Sequence, residues 1–261
     1  MFDFHMHSTV SFDGIDNARD MAEAASCRGL REICFTDHLD YNVDRNAPEN
    51  TFSLEAYSEA YDRLEIPGLT VRRGVEFGLC TWNQEQMKEF LSKRPFDFVI
   101  GSIHYLNGMD PYYPQYWEGR SVKDAFTEYL EHTLACVKVH KDFDVLGHLT
   151  YVCKSAHNPT HEPVRFEDYR EISDEIMRVL AANGKGMEIN TSGVDRAGAF
   201  LPSVEFLRRF RELGGEIVTV GYDAHNVTRV GQYTDEAIEI LREVFGYVCT
   251  FEDRKPVFHK L

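Results

Sequence analysis

Histidine and carboxylate side chains recur at the ends of apolar segments along this chain. His5 and His7 end the apolar segment FDFHMH (residues 2–7), and Asp13 follows shortly after. In a β-strand, residues i and i+2 point to the same face, so His5 and His7 would aim two imidazole rings at one point. Imidazole and carboxylate together are typical ligands of Zn, Mn and Fe ions. One such pair is equally well explained by two satisfied histidines, so the rest of the chain has to decide.

The same residue types follow five later apolar segments. They are Asp37 and His38 after REICFT, Glu76 after TVRRGV, His104 after FDFVIGSI, His148 after FDVLG, and Asp223 and His225 after GEIVTVGY. Only 11 of the 261 residues are histidines, so chance is a poor explanation for their placement at so many predicted strand ends. The pattern therefore predicts a shared metal site.

Amphipathic segments lie between these apolar runs and predict helices. We expect helices over residues 17–28, from Ser53, from Ser121, and over 166–182, 202–213 and 234–245. With the further apolar run KGMEINTS (185–192), about seven strand–helix units alternate. This alternation predicts an α/β fold whose parallel strands close into a barrel, with the carboxyl ends of all strands on one face. Because no linker or repeat interrupts the pattern, we expect one domain over residues 1–261.

Composition narrows the class of partner. The formal net charge is -15, which disfavours binding of a nucleic-acid polymer because phosphate contacts need a basic surface. The six cysteines form no CxxC pair and are expected to be reduced thiols. We find neither a targeting segment nor an apolar stretch long enough to span a bilayer, so we expect a cytoplasmic protein without membrane contact.

The number of candidate ligands predicts more than one metal ion. Six histidines and three carboxylates exceed the three or four protein ligands of a single catalytic zinc. Glu76, a lone carboxylate among imidazoles, is placed to bridge two ions. Asp37, which adjoins His38, is expected to orient a ligand rather than to bind metal itself.

Six short motifs resemble, in order, those of the PHP (polymerase and histidinol phosphatase) superfamily. They are HMH (5–7), TDH (36–38), GVE (74–76), SIH (102–104), GHL (147–149) and DAH (223–225). The chain length, EINTSG (188–193) and the long segments after His104 and His148 are most similar to the histidinol-phosphate phosphatase branch. The resemblance implies a distorted (β/α)7 TIM-like barrel that carries a trinuclear metal site.

By position, the resemblance implies three divalent ions, each Zn, Mn or Fe. The implied ligand sets are His5, His7, Glu76 and Asp223 for the first ion, the bridging Glu76 with His104 and His148 for the second, and Asp13, His38 and His225 for the third. Many relatives have histidine where this chain has Asp13, so the third site departs from the family pattern.

Clustered divalent ions can generate hydroxide from water near neutral pH, which predicts hydrolysis of a phosphate monoester. The resemblance implies L-histidinol phosphate as the small substrate, with L-histidinol and phosphate as products. Glu76, Asp223 and His225 are the catalytic candidates, and Asp223 or His225 would relay a proton to the leaving oxygen. Arg165 and Arg196 follow strand ends and are candidates for phosphate binding, with Arg229 a weaker one.

Some alternatives remain open from the sequence. The substrate could be another small ester, a nucleotide or phosphotyrosine, and a non-catalytic metal-binding domain is a further alternative. The aromatic segment 105–120 could form a pocket wall or ordinary hydrophobic packing. The remaining histidines are expected to lie outside the metal site; they are His132, His140, His157, His161 and His259.

Overall fold

The computed structural model describes residues 1–41 and 49–261, in which strands and helices alternate. The strands are β1 (Phe2–Met6), β2 (Glu32–Phe35), β3 (His38–Leu39), β4 (Thr70–Gly78), β5 (Phe98–Ser102), β6 (Val145–Leu146), β7 (Gly186–Asn190), β8 (Val218–Gly221), β9 (Tyr247–Glu252) and β10 (Lys255–Lys260). The helices are α1 (Ala18–Cys27), α2 (Leu54–Tyr61), α3 (Gln84–Leu91), α4 (Pro114–Trp117), α5 (Val122–Val139), α6 (Arg170–Ala182), α7 (Val194–Ala197), α8 (Val204–Glu212) and α9 (Thr234–Val244). Within these described residues, no helix combines the length and apolar character needed to cross a membrane.

Three of the helices begin where the sequence predicts, because a polar side chain caps each first turn. The side chains of Asn17, Ser53 and Ser121 each accept a hydrogen bond from a backbone N–H in the first turn, at 3.0, 3.1 and 3.1 Å. These bonds satisfy donors that the helix itself leaves unpaired.

The strands form a nearly closed parallel barrel. Its hydrogen-bonded order is β1-β2-β4-β5-β6-β7-β8, and β3 pairs with the second half of β4. Closure comes from backbone bonds between β1 and the segment after β8. The N–H of His7 donates to the carbonyl of Ala224 at 2.8 Å, and the N–H of Asp223 donates to the carbonyl of His5 at 2.8 Å. The predicted TIM-like barrel is therefore confirmed.

A C-terminal hairpin of β9 and β10 covers the amino-terminal end of the barrel. The His259 ring lies 4.5 Å from the ring of Phe2, and Phe251 lies 4.7 Å from Phe98. Phe2 and Phe98 are the first residues of β1 and β5. His259, which the sequence analysis leaves without an assigned element, thus belongs to a strand that packs far from the carboxyl ends. The opposite end of the barrel remains available for a site.

Candidate metal centre

The carboxyl ends of the strands bring the predicted ligands together. Eight of the nine fall into groups of three whose ligand atoms lie within 4.8 Å of one another. The groups are His7, His38 and His225; His5, Glu76 and His148; His5, His7 and Asp223; and His38, Asp40 and His104. The ninth, Asp13, places Oδ2 3.1 Å from His225 Nε2 and 3.6 Å from His38 Nε2.

Two carboxylate oxygens each lie close to the Nε2 atoms of the same two histidines. Glu76 Oε2 lies 3.2 Å from His5 Nε2 and 3.6 Å from His7 Nε2. Asp223 Oδ1 lies 3.2 Å from His7 Nε2 and 3.7 Å from His5 Nε2. Ligands at ordinary zinc bond lengths in a tetrahedron are about 3.4 Å apart. The observed distances therefore fit one ion held by these four groups.

Glu76 divides its two oxygens between different histidines. Oε1 lies 3.2 Å from His104 Nε2 and 2.8 Å from His148 Nε2, and it also accepts a hydrogen bond from Ser102 Oγ at 2.6 Å. Oε2, besides facing the first set, lies 3.0 Å from His38 Nδ1. Glu76 is fully buried on β4. This geometry is the one that a bridging carboxylate needs.

Hydrogen bonds behind the rings of His5 and His104 fix which nitrogen of each faces the centre. His5 Nδ1 lies 2.7 Å from Glu188 Oε1, and His104 Nδ1 lies 3.0 Å from Asp40 Oδ1. Since a carboxylate only accepts, each Nδ1 must donate, and a neutral ring then keeps a lone pair on Nε2. Those lone pairs point at Glu76, where two acceptors face each other. A ring proton or a metal cation between them resolves this conflict, and the buried Nε2 of His5 and Oε2 of Glu76 find no hydrogen-bond partner among the described residues.

Asp37 acts on the cluster through Ser11. Ser11 Oγ donates to Asp37 Oδ1 at 3.1 Å, so it accepts from His7 Nδ1 at 3.2 Å. It also accepts from the backbone N–H of His38 at 2.9 Å. Tyr61 OH donates to the other oxygen of Asp37. Hydrogen bonds through Ser11 therefore connect Asp37 to His7 as well as to its neighbour His38, which supports its predicted orienting role.

Burial and mutual interaction shift the pKa values of the cluster in opposite directions. Burial, together with His225 and His38, lowers the pKa of His7 to about 3. Burial also opposes the charge of His38, but Glu76 and Asp13 outweigh it and raise the His38 pKa to about 9. The surrounding histidines overcome burial and hold the pKa of Glu76 well below its usual range. Metal binding must displace the histidine protons that balance these carboxylates.

Three residues that contact the predicted ligands are not identified by the sequence analysis. Asp40 follows His38 at i+2, the spacing that identified His5 and His7, so the same rule could have found it. Glu188 is a charged residue within the apolar strand β7, which was itself a signal. Lys154 ends a 3-10 turn after His148 and places Nζ 2.7 Å from Asp223 Oδ2. Nothing in the local sequence pattern marks Lys154.

A cleft of about 480 Å³ opens onto the cluster, within the usual size range of small-molecule sites. Lys154 and Arg196 both line it. The Arg196 guanidinium lies 5.7 Å from the ring of Tyr112, another lining residue. The cleft therefore combines predicted metal ligands with two cationic side chains.

The structure does not bring Arg165 to this cleft. Its side chain is 72% exposed, lies 4.0 Å from Asp168, and lines a separate surface depression. Arg229 pairs with Asp195 and also donates to Tyr222 OH. The loop after His148 carries Arg165 away from the strand ends, and strand spacing alone does not encode a loop's path.

The aromatic segment 105–120 divides between the two predicted roles. Tyr105, Tyr112 and Tyr113 line the cleft. Tyr116 and Trp117 are buried instead, and the indole N–H of Trp117 donates to the carbonyl of Pro111 at 2.8 Å. One part of the segment is thus a pocket wall, and the other is packing.

The histidines expected outside the site stay outside the ligand groups found among the described residues. His140, for example, bonds through Nε2 to the carbonyl of Cys80 at 2.7 Å. His132 has its pKa lowered by burial.

Comparison with known proteins identifies the family of this chain. The PHP domain family model matches residues 3–192. The chain belongs to the PHP domain family. The histidinol-phosphatase of Lactococcus lactis subsp. lactis is 31% identical over 97% of this chain and 95% of its own length. A "Probable histidinol-phosphatase" of Clostridium acetobutylicum is 30% identical over 99% of this chain and 96% of its own.

A solved structure matches this chain over nearly its whole length. The crystal structure of histidinol phosphate phosphatase from Lactococcus lactis subsp. lactis, complexed with Zn, L-histidinol and phosphate, has a TM-score of 0.89 and 28% identity. The match covers 98% of each chain. The resemblance to the histidinol-phosphatase branch is thereby confirmed. Asp223 and His225 lie beyond the residues that the PHP family model matches, and β8 brings them to the other ligands.

Proposed function

We propose that this protein hydrolyses L-histidinol phosphate to L-histidinol and phosphate in a metal-dependent reaction. The observation that carries the proposal is the Glu76-centred set of inward-facing nitrogens beside a cleft of small-molecule size. The choice of substrate is supported by the Lactococcus lactis relative, whose structure contains L-histidinol and phosphate.

The proposed cofactors are three divalent ions, which are Zn, Mn or Fe. The proposed ligands are those implied by family resemblance: His5, His7, Glu76 and Asp223; Glu76, His104 and His148; and Asp13, His38 and His225. Divalent ions bound there would activate water and neutralise charge that develops on phosphate oxygens. The donor chemistry suits such ions because imidazole and carboxylate are the only side-chain types in these sets.

We assign binding of the phosphate to Lys154 and Arg196. Both line the cleft, and a lysine ammonium and an arginine fork are suited to phosphate oxygens. Arg165 is left out because it lies on a separate depression.

The proton for the leaving oxygen is assigned to the Asp223–Lys154 pair. His225 has both ring nitrogens engaged, with Nδ1 2.9 Å from the carbonyl of Asp223 and Nε2 3.1 Å from Asp13. Glu76 likewise has both oxygens among histidines, which favours a ligand role. Asp223 Oδ2 instead faces Lys154 at 2.7 Å within the cleft, where a proton can pass to substrate.

The test is kcat/KM for L-histidinol phosphate beside other phosphomonoesters, including p-nitrophenyl phosphate, a nucleotide and phosphotyrosine. Metal content is determined on the same sample. We expect a preference of about a hundredfold, equal to about 2.7 kcal/mol of transition-state discrimination. Equal, slow turnover across the panel would retain a metal-dependent phosphoesterase but reject this substrate. No turnover with added Mn or Zn would favour a non-catalytic domain.

Two variants test the proposed site itself. His5→Ala and Asp223→Asn are expected to abolish turnover while the fold, followed by circular dichroism, is largely retained. Full turnover in either variant would reject the ligand assignment.

A further inference from the structure

A carboxylate in the cleft has no part in the chemistry assigned above. Asp110 lies in the loop after β5 and lines the cleft beside Tyr112. Its Oδ1 accepts a hydrogen bond from the backbone N–H of Tyr112 at 2.7 Å and one from Tyr151 OH at 3.4 Å. Both hydrogen bonds that the described residues give to the Asp110 carboxylate therefore end on the same oxygen, and Oδ2 is left for a ligand.

One aromatic ring separates Asp110 from the metal ligands. The ring of Tyr151, whose hydroxyl contacts Asp110, lies 5.6 Å from the ring of His104 and 5.1 Å from that of His148. Lys154 Nζ lies 6.0 Å from the same ring. A ligand whose phosphate reaches Lys154 and the histidines would therefore lie beside Tyr151, the ring whose hydroxyl contacts Asp110, in the cleft that Asp110 also lines.

The charge of Asp110 restricts what that organic part can be. A carboxylate repels a phosphate ester, and its partial burial beside tyrosines weakens its own hydration. Burial raises the pKa of Asp110 to about 6, despite its hydrogen bond from Tyr112 and the proximity of His104. A cationic ligand group would offset both the repulsion of the phosphate ester and the lost hydration of Asp110, whereas a neutral or anionic group would not.

We infer that Asp110 is a specificity-determining residue that binds the ammonium group of the substrate through Oδ2. The substrate class is then phosphate monoesters of amino alcohols, in which the ammonium lies close to the ester oxygen. This inference rests on the proposed function and deepens it, since L-histidinol phosphate belongs to the class.

Asp110→Asn tests the inference, with Asp168→Asn as the matched control. Asp168 is an exposed carboxylate outside the cleft. Its substitution changes the net charge by the same amount as Asp110→Asn. Each protein is assayed with L-histidinol phosphate and with the same ester lacking the amino group. In Asp110→Asn we expect KM for the amino ester to rise about tenfold or more, with kcat little changed. Its kcat/KM for the ester without the amino group stays within about twofold of wild type, and Asp168→Asn resembles wild type with both esters.

A second ester pair separates failure of this inference from failure of the proposed function. The pair is 2-aminoethyl phosphate and ethyl phosphate, which differ only in the amino group. If the wild type rejects L-histidinol phosphate yet prefers the aminoethyl ester, and Asp110→Asn removes that preference, the proposed substrate is wrong and the role of Asp110 stands. If Asp110→Asn affects both members of each pair equally, or affects neither, the role of Asp110 is rejected. Metal content and Tm of the variant show whether an equal loss reflects damage to the centre.

Discussion

Glu188→Gln is expected to weaken metal binding although Glu188 is not itself a proposed ligand. Glu188 Oε1 accepts from His5 Nδ1 at 2.7 Å, while Oε2 accepts from the backbone N–H of His148 at 2.8 Å and from Asn190 Nδ2 at 3.1 Å. Glutamine has nearly the same shape but must place an NH2 group at one of these two positions. In either orientation a donor then meets a donor.

The size of the expected loss of metal affinity follows from the effect of that donor–donor conflict on His5 and His148. If the NH2 group faces His5, the ring must move its proton to Nε2, which removes the lone pair aimed at the centre. If it faces His148, a buried backbone N–H loses its acceptor. Changes to groups that orient ligands typically lower metal affinity 10–100-fold, or about 1.4–2.7 kcal/mol.

The assay is activity against free Zn or Mn concentration in a metal buffer, after removal of metal by a chelator. We expect the half-saturating metal concentration to rise about 10–100-fold, with KM for substrate unchanged once metal saturates. Glu131→Gln, an exposed substitution on α5, is the control and should match the wild type. A wild-type metal dependence in Glu188→Gln would refute the tautomer argument for His5.

Two further predictions concern pH and packing. Burial opposes the charge of His38, but Glu76 contributes most to raising the His38 pKa, which is about 9. The pKa of His104 is raised well above its usual value in the same way. The stability these groups give the metal-free protein is complete below about pH 6.5 and is lost as pH rises through about 9. Since bound metal replaces their protons, the rise in Tm on adding Zn or Mn should increase over this range, and a constant rise would contradict the reasoning. A methyl group at Gly221 would lie 2.3 Å from His5 Cβ and 2.6 Å from Glu188 Oε1. Gly221→Ala should therefore lose about 1–3 kcal/mol of stability and most activity, whereas an unchanged Tm and kcat/KM would show that the site adapts.

The sequence predicts the barrel and its ligand cluster because both depend on short-range regularities. Apolar runs and capped helices alternate, and parallel strands necessarily align their carboxyl ends. His104 and His148 could thus be placed together from strand endings alone. The i, i+2 rule likewise placed His5 beside His7.

The parts that the sequence does not predict depend on loop paths and on contacts between distant segments. Arg165 and Lys154 both follow His148, but only the course of the loop decides which of them enters the cleft. Asp110 gains its place through Tyr151, a contact between the loop after β5 and the 3-10 turn after His148. The C-terminal hairpin packs against the first residues of β1 and β5. The sequence there carries no polar pattern that would predict this contact.

The hydrogen bonds that close the barrel involve residues that are also proposed metal ligands. His5 and His7 stand on one side of that junction and Asp223 on the other. A cation held by all three would act as a cross-link between segments nearly the whole chain apart, comparable to a disulfide that closes a very long loop. Such a cross-link restricts the unfolded chain most when the enclosed loop is longest. The ions proposed for catalysis would then also reinforce the backbone hydrogen bonds that join the two ends of the fold, so that loss of metal would lower the stability of this junction as well as abolish the chemistry.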